Sequence, residues 1–136
     1  MHSDVLEIST GGHERVVDLT DRCARWLRTV GAHDGLLNAF VPHATAGLAV
    51  IETGAGSDTD LLAALRAMLP ADSAWQHRHG SPGHGRDHVL PAFVAPSAVV
   101  PVLAGVMALG TWQSLCLVDS NIDNPVRQVR LSFVAG

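Results

Sequence analysis

The chain has 136 residues, 47% of them hydrophobic, with a formal net charge of −4 at pH 7. This is the length of one domain with a sizeable core. All nine basic residues are arginine, so the chain has neither a Walker-type phosphate loop nor a lysine Schiff base. Its mild net negative charge gives no basic surface for nonspecific binding of nucleic acid.

Only 16% of the residues are charged, and we therefore expect part of the surface to be buried in an oligomer. The N-terminal residues lack the basic and apolar regions of a signal peptide, and no apolar run is long enough to span a membrane. We expect a cytoplasmic protein without a membrane partner.

Strand and helix patterns alternate in the first half of the chain. Alternation over residues 5–10 predicts a first strand, and residues 15–17 predict a second. Apolar residues at three- and four-residue steps predict a helix that begins near Asp18 or Thr20 and ends at Gly31. Two further strands are predicted at residues 36–41 and 48–51, and a second helix begins at Ser57, with Asp60 in a capping-box position, and stops at Pro70.

The second half begins with a glycine- and proline-containing stretch, residues 71–85, that predicts a long loop of the kind used for binding. A short third helix is predicted near residues 87–94, while Gly83 and Gly85 argue against helical structure just before it. Four strands follow, at residues 99–102, 106–109, 111–118 and 127–134. Their short links predict antiparallel pairing, so the pattern indicates one α+β domain over residues 1–136 with a largely antiparallel sheet.

Histidine is the most concentrated polar residue. His43 lies at a strand end, while His77, His79, His84 and His88 crowd residues 76–88. Imidazole is the commonest protein ligand for transition metals, and it titrates near physiological pH, so this density indicates a metal or proton-transfer site. From the residues alone, a hydrogen-bonded core role for His43 and an exposed loop with incidental metal affinity stay open as alternatives.

Two carboxylates end predicted strands. Glu52 and Asp119 could orient metal-bound histidines, complete a coordination shell or act as a base. Asp123, before Pro125, is typical of a turn. Cys23 and Cys116 are too few and too far apart for a metal knuckle and are predicted to be buried.

Four other side chains are candidates for contact with a substrate. Arg78 and Arg86 lie in the histidine-rich stretch, and a guanidinium forks onto phosphate or carboxylate; solvation at the surface is the alternative. Trp112 and Gln113 could line a pocket, with core packing as the alternative for Trp112.

The motifs, taken in order, resemble the YjbQ-like family over residues 6–136. They are Phe40–Leu48 with Glu52, Trp75-Gln76-His77, Gly83–His88, and Leu109–Gln113 with Asp119. Members of this family are associated with a secondary thiamine-phosphate synthase activity. The resemblance implies a small α+β fold assembled as a cyclic trimer, with a metal ion near the subunit boundaries.

The resemblance also implies particular roles. His43, His77 and His88 match the family's metal-binding histidines, and His79 and His84 inherit no role. The expected ion is divalent, with zinc first and Mg²⁺ possible beside a diphosphate. Glu52 and Asp119 become catalytic candidates, and Thr45 joins Arg78, Arg86, Trp112 and Gln113 among the candidate substrate contacts.

We therefore expect a homotrimeric enzyme that joins a pyrimidine diphosphate to a thiazole phosphate and releases pyrophosphate. A metal-dependent hydrolase of a small ester or phosphoester is an alternative, because three histidines and an open position are typical of hydrolytic zinc sites. A non-catalytic trimer that binds metal or small anions is another. Asn121 replaces the family's second acid after Asp119, which weakens any mechanism that needs Mg²⁺ on a diphosphate.

Overall fold

Eight antiparallel strands in two sheets form the framework, and the computed structural model describes all 136 residues. The strands are His2–Ser9 (β1), Arg15–Asp18 (β2), Gly35–Phe40 (β3), Ala46–Ile51 (β4), Ser97–Leu103 (β5), Val106–Met107 (β6), Ser114–Asp119 (β7) and Val126–Ala135 (β8). The helices are Thr20–Thr29 (α1), Ser57–Met68 (α2) and His84–Asp87 (α3), and a 3-10 turn follows at Leu90–Ala92. The predicted α+β class, with two main helices and a short third, is confirmed.

The larger sheet has the order β1-β8-β3-β5-β6, and the smaller sheet has the order β2-β7-β4. Long antiparallel registers hold β8 between β1 and β3. Along β8, Val129, Leu131 and Phe133 are buried while Gln128 and Arg130 are exposed. The predicted alternation of a buried and a wetter face is confirmed.

The main core lies between the two sheets and α1, whose Cys23, Trp26 and Leu27 pack against the inner faces of the strands. A second, smaller core joins α2 to the opposite face of the smaller sheet through Leu65, Leu69 and Val118. Because α2 and the 3-10 turn share this second core, the loop between them is confined to one side of the smaller sheet.

Both cysteines are buried, as predicted. Burial raises the pKa of the Cys23 thiol to about 12 and that of the Cys116 thiol to about 12, so both stay protonated at neutral pH. They pack as small hydrophobic residues.

Three predicted elements differ in the structure. Residues 111–113 form a turn, closed by a hydrogen bond from the Gln113 backbone N–H to the Gly110 carbonyl, so β7 begins only at Ser114. The second helix has no side-chain cap at its start; the Asp60 N–H instead donates to the Gly56 carbonyl. The third helix runs over His84–Asp87 and not over residues 87–94, where only the 3-10 turn at Leu90–Ala92 is found, and its start at His84 corrects the expectation of irregular structure there.

The third helix includes a glycine for a packing reason. A Cβ at position 85 would lie 2.5 Å from the His77 carbonyl oxygen and 2.6 Å from the Trp75 Cβ. The close approach of the loop to α3 needs a residue without a side chain, and this requirement outweighs the low helix propensity of glycine.

A buried ion pair joins the two sheets. Arg127 of β8 is 1% exposed and Asp119 of β7 is fully buried. The Arg127 Nε and Nη2 atoms donate to the two Asp119 carboxylate oxygens at 2.7 and 2.9 Å, and Nη2 also donates to the Thr45 hydroxyl at 2.8 Å. The pair therefore ties β7, β8 and the start of β4 together.

Apolar side chains are exposed on the outer face of the larger sheet, among them Leu36, Val99 and Val134. Exposed apolar surface is typical of interaction sites and favours self-association. The homotrimer stays a prediction. No helix in the chain combines the length and the apolar character that crossing a membrane requires.

We expect Asp119→Asn to lower the free energy of unfolding by about 3–5 kcal/mol, because it leaves the buried Arg127 guanidinium without a counter-charge. Urea denaturation at pH 7 measures this change. Glu7→Gln, at an exposed carboxylate on β1, is the matched control and should alter stability little. A loss below about 1 kcal/mol for Asp119→Asn would mean that the buried pair does not hold the sheets together.

Candidate functional site

Four histidines come together where the long loop after α2 meets α3. Trp75 anchors the loop: its indole Nε1 donates to the Pro70 carbonyl at 2.9 Å, and its ring packs against the second core. His77 and His79 follow this anchor. His84 and His88 lie one turn apart on α3 and its C-cap, on one face.

The rings of the four histidines are in mutual contact. The ring centroid of His77 lies 4.0 Å from that of His79, 5.4 Å from that of His84 and 4.1 Å from that of His88. The Nε2 atoms of His84 and His88 are 3.0 Å apart. One ring nitrogen from each of His77, His79 and His84 lies within 4.8 Å of the other two. We call these four residues the histidine cluster.

Electrostatics keep part of the cluster neutral. Desolvation, followed by repulsion from His79 and His84, lowers the pKa of His77. Desolvation and the three other rings lower the pKa of His88, against the opposing charge of Asp87. The Nε2 atom of His77 is buried and has no hydrogen-bond partner. Burying a ring nitrogen without a hydrogen-bond partner costs free energy unless a ligand binds to that nitrogen.

The histidine cluster opens to solvent through a cavity of about 530 Å³. His77, His79 and His84 line this cavity together with Arg78, whose Nε donates to the Trp75 carbonyl at 3.1 Å. The remaining guanidinium nitrogens of Arg78 have no protein partner. A small molecule from solvent therefore has access to three of the four rings.

Polar groups in the segment after β7 form hydrogen bonds with Asp87 and His84 of α3. Asp87 is 3% exposed and accepts hydrogen bonds from the Ser120 hydroxyl at 2.6 Å and from the Asn121 Nδ2 at 2.9 Å. The Nδ1 atom of His84 lies 3.0 Å from the Asn121 Nδ2 and 2.9 Å from a carboxylate oxygen of Asp123. The position of His84 is therefore set by the segment that follows Asp119.

Asp123 is held by the loop as well as by His84. The Ser81 backbone N–H donates to the Asp123 carboxylate at 3.1 Å. This bond, then the Ser81 hydroxyl and His84, lower the pKa of Asp123 below its ordinary value. Gly80 permits this approach, since a Cβ there would lie 2.7 Å from the His84 ring and 2.9 Å from Asp123.

The structure brings two of the three predicted ligands together and leaves the third outside. His77 and His88 are in the histidine cluster, whereas the His43 Nε2 accepts a hydrogen bond from the Gln128 backbone N–H at 2.9 Å. The pairing of β3 with β8 ends at Phe40, opposite Arg130. The Gln128 N–H lies beyond this point, and His43 provides its acceptor. Desolvation and the nearby Arg127 charge lower the pKa of His43. His79 and His84, to which no role was assigned, lie in the cluster.

The remaining predicted residues are dispersed. Asp119 and Thr45 belong to the buried pair with Arg127, and Glu52 is exposed after β4. The Arg86 side chain forms a salt bridge with Glu14 and is 11% exposed. Their predicted catalytic and substrate-binding roles stay predictions.

The residues of the turn before β7 lie apart from the histidine cluster. Trp112 is 73% exposed, so the alternative of core packing is wrong for it. The Gln113 Oε1 accepts the Gly110 N–H at 2.8 Å, and Gln113 lines a separate cavity of about 210 Å³ with Thr20 and Arg28. The substrate-binding roles of Trp112 and Gln113 also stay predictions.

Sequence reasoning missed Asp87, Ser120 and Asn121. The resemblance marks Asn121 only as the loss of an acid, whereas in the structure its amide connects Asp87 to His84. The sequence does contain one signal for the buried ion pair. Arg127 shares the alternation phase of Val129 and Leu131 on β8, and an arginine in a buried phase calls for a buried carboxylate, which Asp119 supplies.

The fold and the histidine cluster define a small α+β protein with a solvent-open, histidine-rich centre. A family model described as UPF0047 protein YjbQ-like matches residues 4–136. A UPF0047 protein of Mycobacterium tuberculosis is 60% identical over 137 residues, which cover the whole of both chains. The chain belongs to the UPF0047, YjbQ-like family.

Solved structures agree with this assignment. A hypothetical protein from Aeropyrum pernix K1 has a TM-score of 0.90 and 31% identity, with full coverage of both chains. A YbjQ-like protein of unknown function from Sulfolobus solfataricus P2 has a TM-score of 0.92 at 24% identity, covers 99% of this chain and 97% of its own, and shows the shared fold.

The comparisons correct the predicted activity. The family model, the relative of 60% identity and the structural neighbours carry no reaction in their descriptions, and the Sulfolobus protein is described as being of unknown function. None of them names thiamine phosphate, another phosphate-bearing substrate or a hydrolytic reaction. The prediction of a thiamine-phosphate synthase, and with it of a transferase, is wrong.

The lowered pKa values of His77 and His88 predict how stability depends on pH. A histidine whose folded pKa lies below its unfolded value of about 6.5 contributes stability that is complete above that pH and is lost as the pH falls through the folded pKa. We expect metal-free protein to become easier to unfold with urea from about pH 7 down to about pH 5. In a His77→Gln, His88→Gln variant the decline should be shallower. An unchanged decline in that variant would contradict the assigned cause.

Proposed function

We propose that the protein binds one divalent transition-metal ion through the histidine cluster, with His77, His79 and His84 as ligands and His88 as a fourth. The observation that carries the proposal is the convergence of one ring nitrogen from each of His77, His79 and His84 within 4.8 Å. This set keeps two of the ligands expected from sequence and replaces His43 with His79 and His84.

The contacts within the cluster favour a metal ion. Four adjacent imidazoles repel one another as soon as they are protonated, which is one reason that the pKa values of His77 and His88 are low. A metal ion uses the neutral rings that this repulsion favours. It would also satisfy the buried Nε2 of His77, which has no partner within the protein.

The donor atoms favour zinc over Mg²⁺. Imidazole nitrogen suits zinc, copper, nickel and iron, whereas Mg²⁺ prefers oxygen ligands and keeps several waters. The Nε2 atoms of His84 and His88 are 3.0 Å apart, a little closer than two ligands of one tetrahedral zinc ion, which are about 3.3 Å apart. An ion held here would face the cavity of about 530 Å³, so it could take a further ligand from solvent.

Equilibrium competition with a zinc chelator tests the proposal. We expect the wild-type chain to bind one zinc ion per chain, and His77→Ala and His84→Ala each to lose more affinity than the roughly 10–100-fold typical of losing a ligand's hydrogen-bond partner, because each removes a ligand itself. His33→Ala is the matched control, since His33 is an exposed histidine outside the cluster. It should bind zinc like the wild type.

His43→Ala separates the two ligand sets. The cluster as proposed is complete within residues 77–88, so this variant should retain its zinc affinity. A loss equal to that of His77→Ala would restore His43 as a ligand and contradict the proposed set. Zinc binding that survives both His77→Ala and His84→Ala would refute the site itself.

A further inference from the structure

The Nδ1 atom of His84 has two partners of opposite character. On one side is the Asp123 carboxylate oxygen at 2.9 Å, which can only accept a hydrogen bond at neutral pH. On the other side is the Asn121 side-chain nitrogen at 3.0 Å, which can only donate. Neutral imidazole carries its proton on one ring nitrogen at a time, so each partner suits one tautomer.

The orientation of the Asn121 amide follows from its other bonds. Its Oδ1 accepts the backbone N–H groups of Asp123 at 3.0 Å and Asn124 at 3.1 Å. Its Nδ2 donates to the buried Asp87 carboxylate at 2.9 Å. If the nitrogen and oxygen were exchanged, the amide nitrogen, a donor, would face the two backbone N–H donors. The amide oxygen, an acceptor, would then face the Asp87 carboxylate, which is also an acceptor. The group that faces His84 is therefore an N–H donor.

The opposite ring nitrogen reports which tautomer is present. The Nε2 atom of His84 faces the Nε2 atom of His88 at 3.0 Å. With the proton on Nδ1, His84 donates to Asp123 and its Nε2 lone pair is free. With the proton on Nε2, His84 donates to His88 and its Nδ1 accepts from Asn121. In either state the Asp123 carboxylate keeps its bond from the Ser81 N–H, and the Asn121 Nδ2 keeps its bond to Asp87.

We propose that Asn121 and Asp123 are positioning residues that stabilise alternative tautomers of His84, and that Asp123 makes His84 competent to bind metal by holding the proton on Nδ1. Asn121 stabilises the other tautomer, in which the His84 Nε2–H donates to the His88 Nε2, so that metal-free protein populates both forms. Binding of the ion converts His84 to the Asp123-bonded form. This proposal rests on the proposed metal site.

Asp123→Ala, which removes the acceptor, tests the proposal directly. We expect zinc affinity to fall about 10–100-fold, the effect typical of losing the hydrogen-bond partner of a ligand histidine. Asp72→Ala is the matched control. It removes the same charge from the loop, at an exposed residue, and should bind zinc like the wild type. Asp123→Asn keeps an acceptor for His84 and Ser81 and should lose less affinity than Asp123→Ala.

The tautomer itself gives a readout that a merely structural role would not change. Nitrogen-15 NMR of the His84 ring distinguishes a proton on Nδ1 from a proton on Nε2. In metal-free protein we expect Asp123→Ala to shift His84 towards the Nε2-protonated form, and zinc to place the wild-type proton on Nδ1. Identical tautomer populations in metal-free wild type and Asp123→Ala would overturn the proposal, as would equal zinc affinities.

The two proposals fail in different ways. If wild-type protein binds no zinc, the proposed function is wrong, yet the metal-free spectra still test whether Asp123 sets the tautomer. If wild-type protein binds zinc and Asp123→Ala binds it equally well, the metal site stands and the role of Asp123 is wrong.

Discussion

The buried ion pair between Asp119 and Arg127 sets how β7 and β8 meet and where the chain goes after β7. It connects β7 of the smaller sheet to β8 of the larger sheet. Two buried charges are tolerated only when they are paired and their remaining hydrogen-bonding capacity is used. Both conditions are met, because the Asn121 backbone N–H donates to Asp119 at 2.9 Å and the Thr45 hydroxyl accepts from Arg127. The pair thereby fixes the direction in which the chain leaves β7.

That direction determines the candidate site. Ser120 and Asn121, which follow Asp119 directly, hold the Asp87 carboxylate behind α3, and Asn121 also reaches His84. Hydrogen bonds from Ser120 and Asn121 therefore hold the α3 side of the histidine cluster in place. The bond from the Trp75 indole to Pro70 holds the loop on the other side. A site held in this way keeps its ring nitrogens close together without an ion, at the cost of crowding four groups that repel one another when protonated. This cost is the physical reason for expecting a metal ion there.

Sequence reasoning predicted much of the fold, because the strands and helices follow their apolar periods. The alternation in β8 and the three- and four-residue steps in α1 each identify an element and its buried face. It predicted the site less well. Position 85 is glycine because Trp75 approaches it closely, so a helix that looked unfavourable by propensity brings His84 and His88 together. His43, matched to a ligand by motif, instead accepts a hydrogen bond from Gln128 near the start of β8. Such contacts depend on tertiary packing, which no local pattern records.

We propose that the histidine cluster holds a transition-metal ion. X-ray absorption at the zinc edge, on protein loaded with one equivalent of zinc, tests it most directly because it reports the ligand atoms themselves. We expect three or four imidazole nitrogens at about 2.0–2.1 Å from the zinc ion. A zinc ion surrounded by water and carboxylate oxygen, or one with fewer than three imidazole ligands, would contradict it.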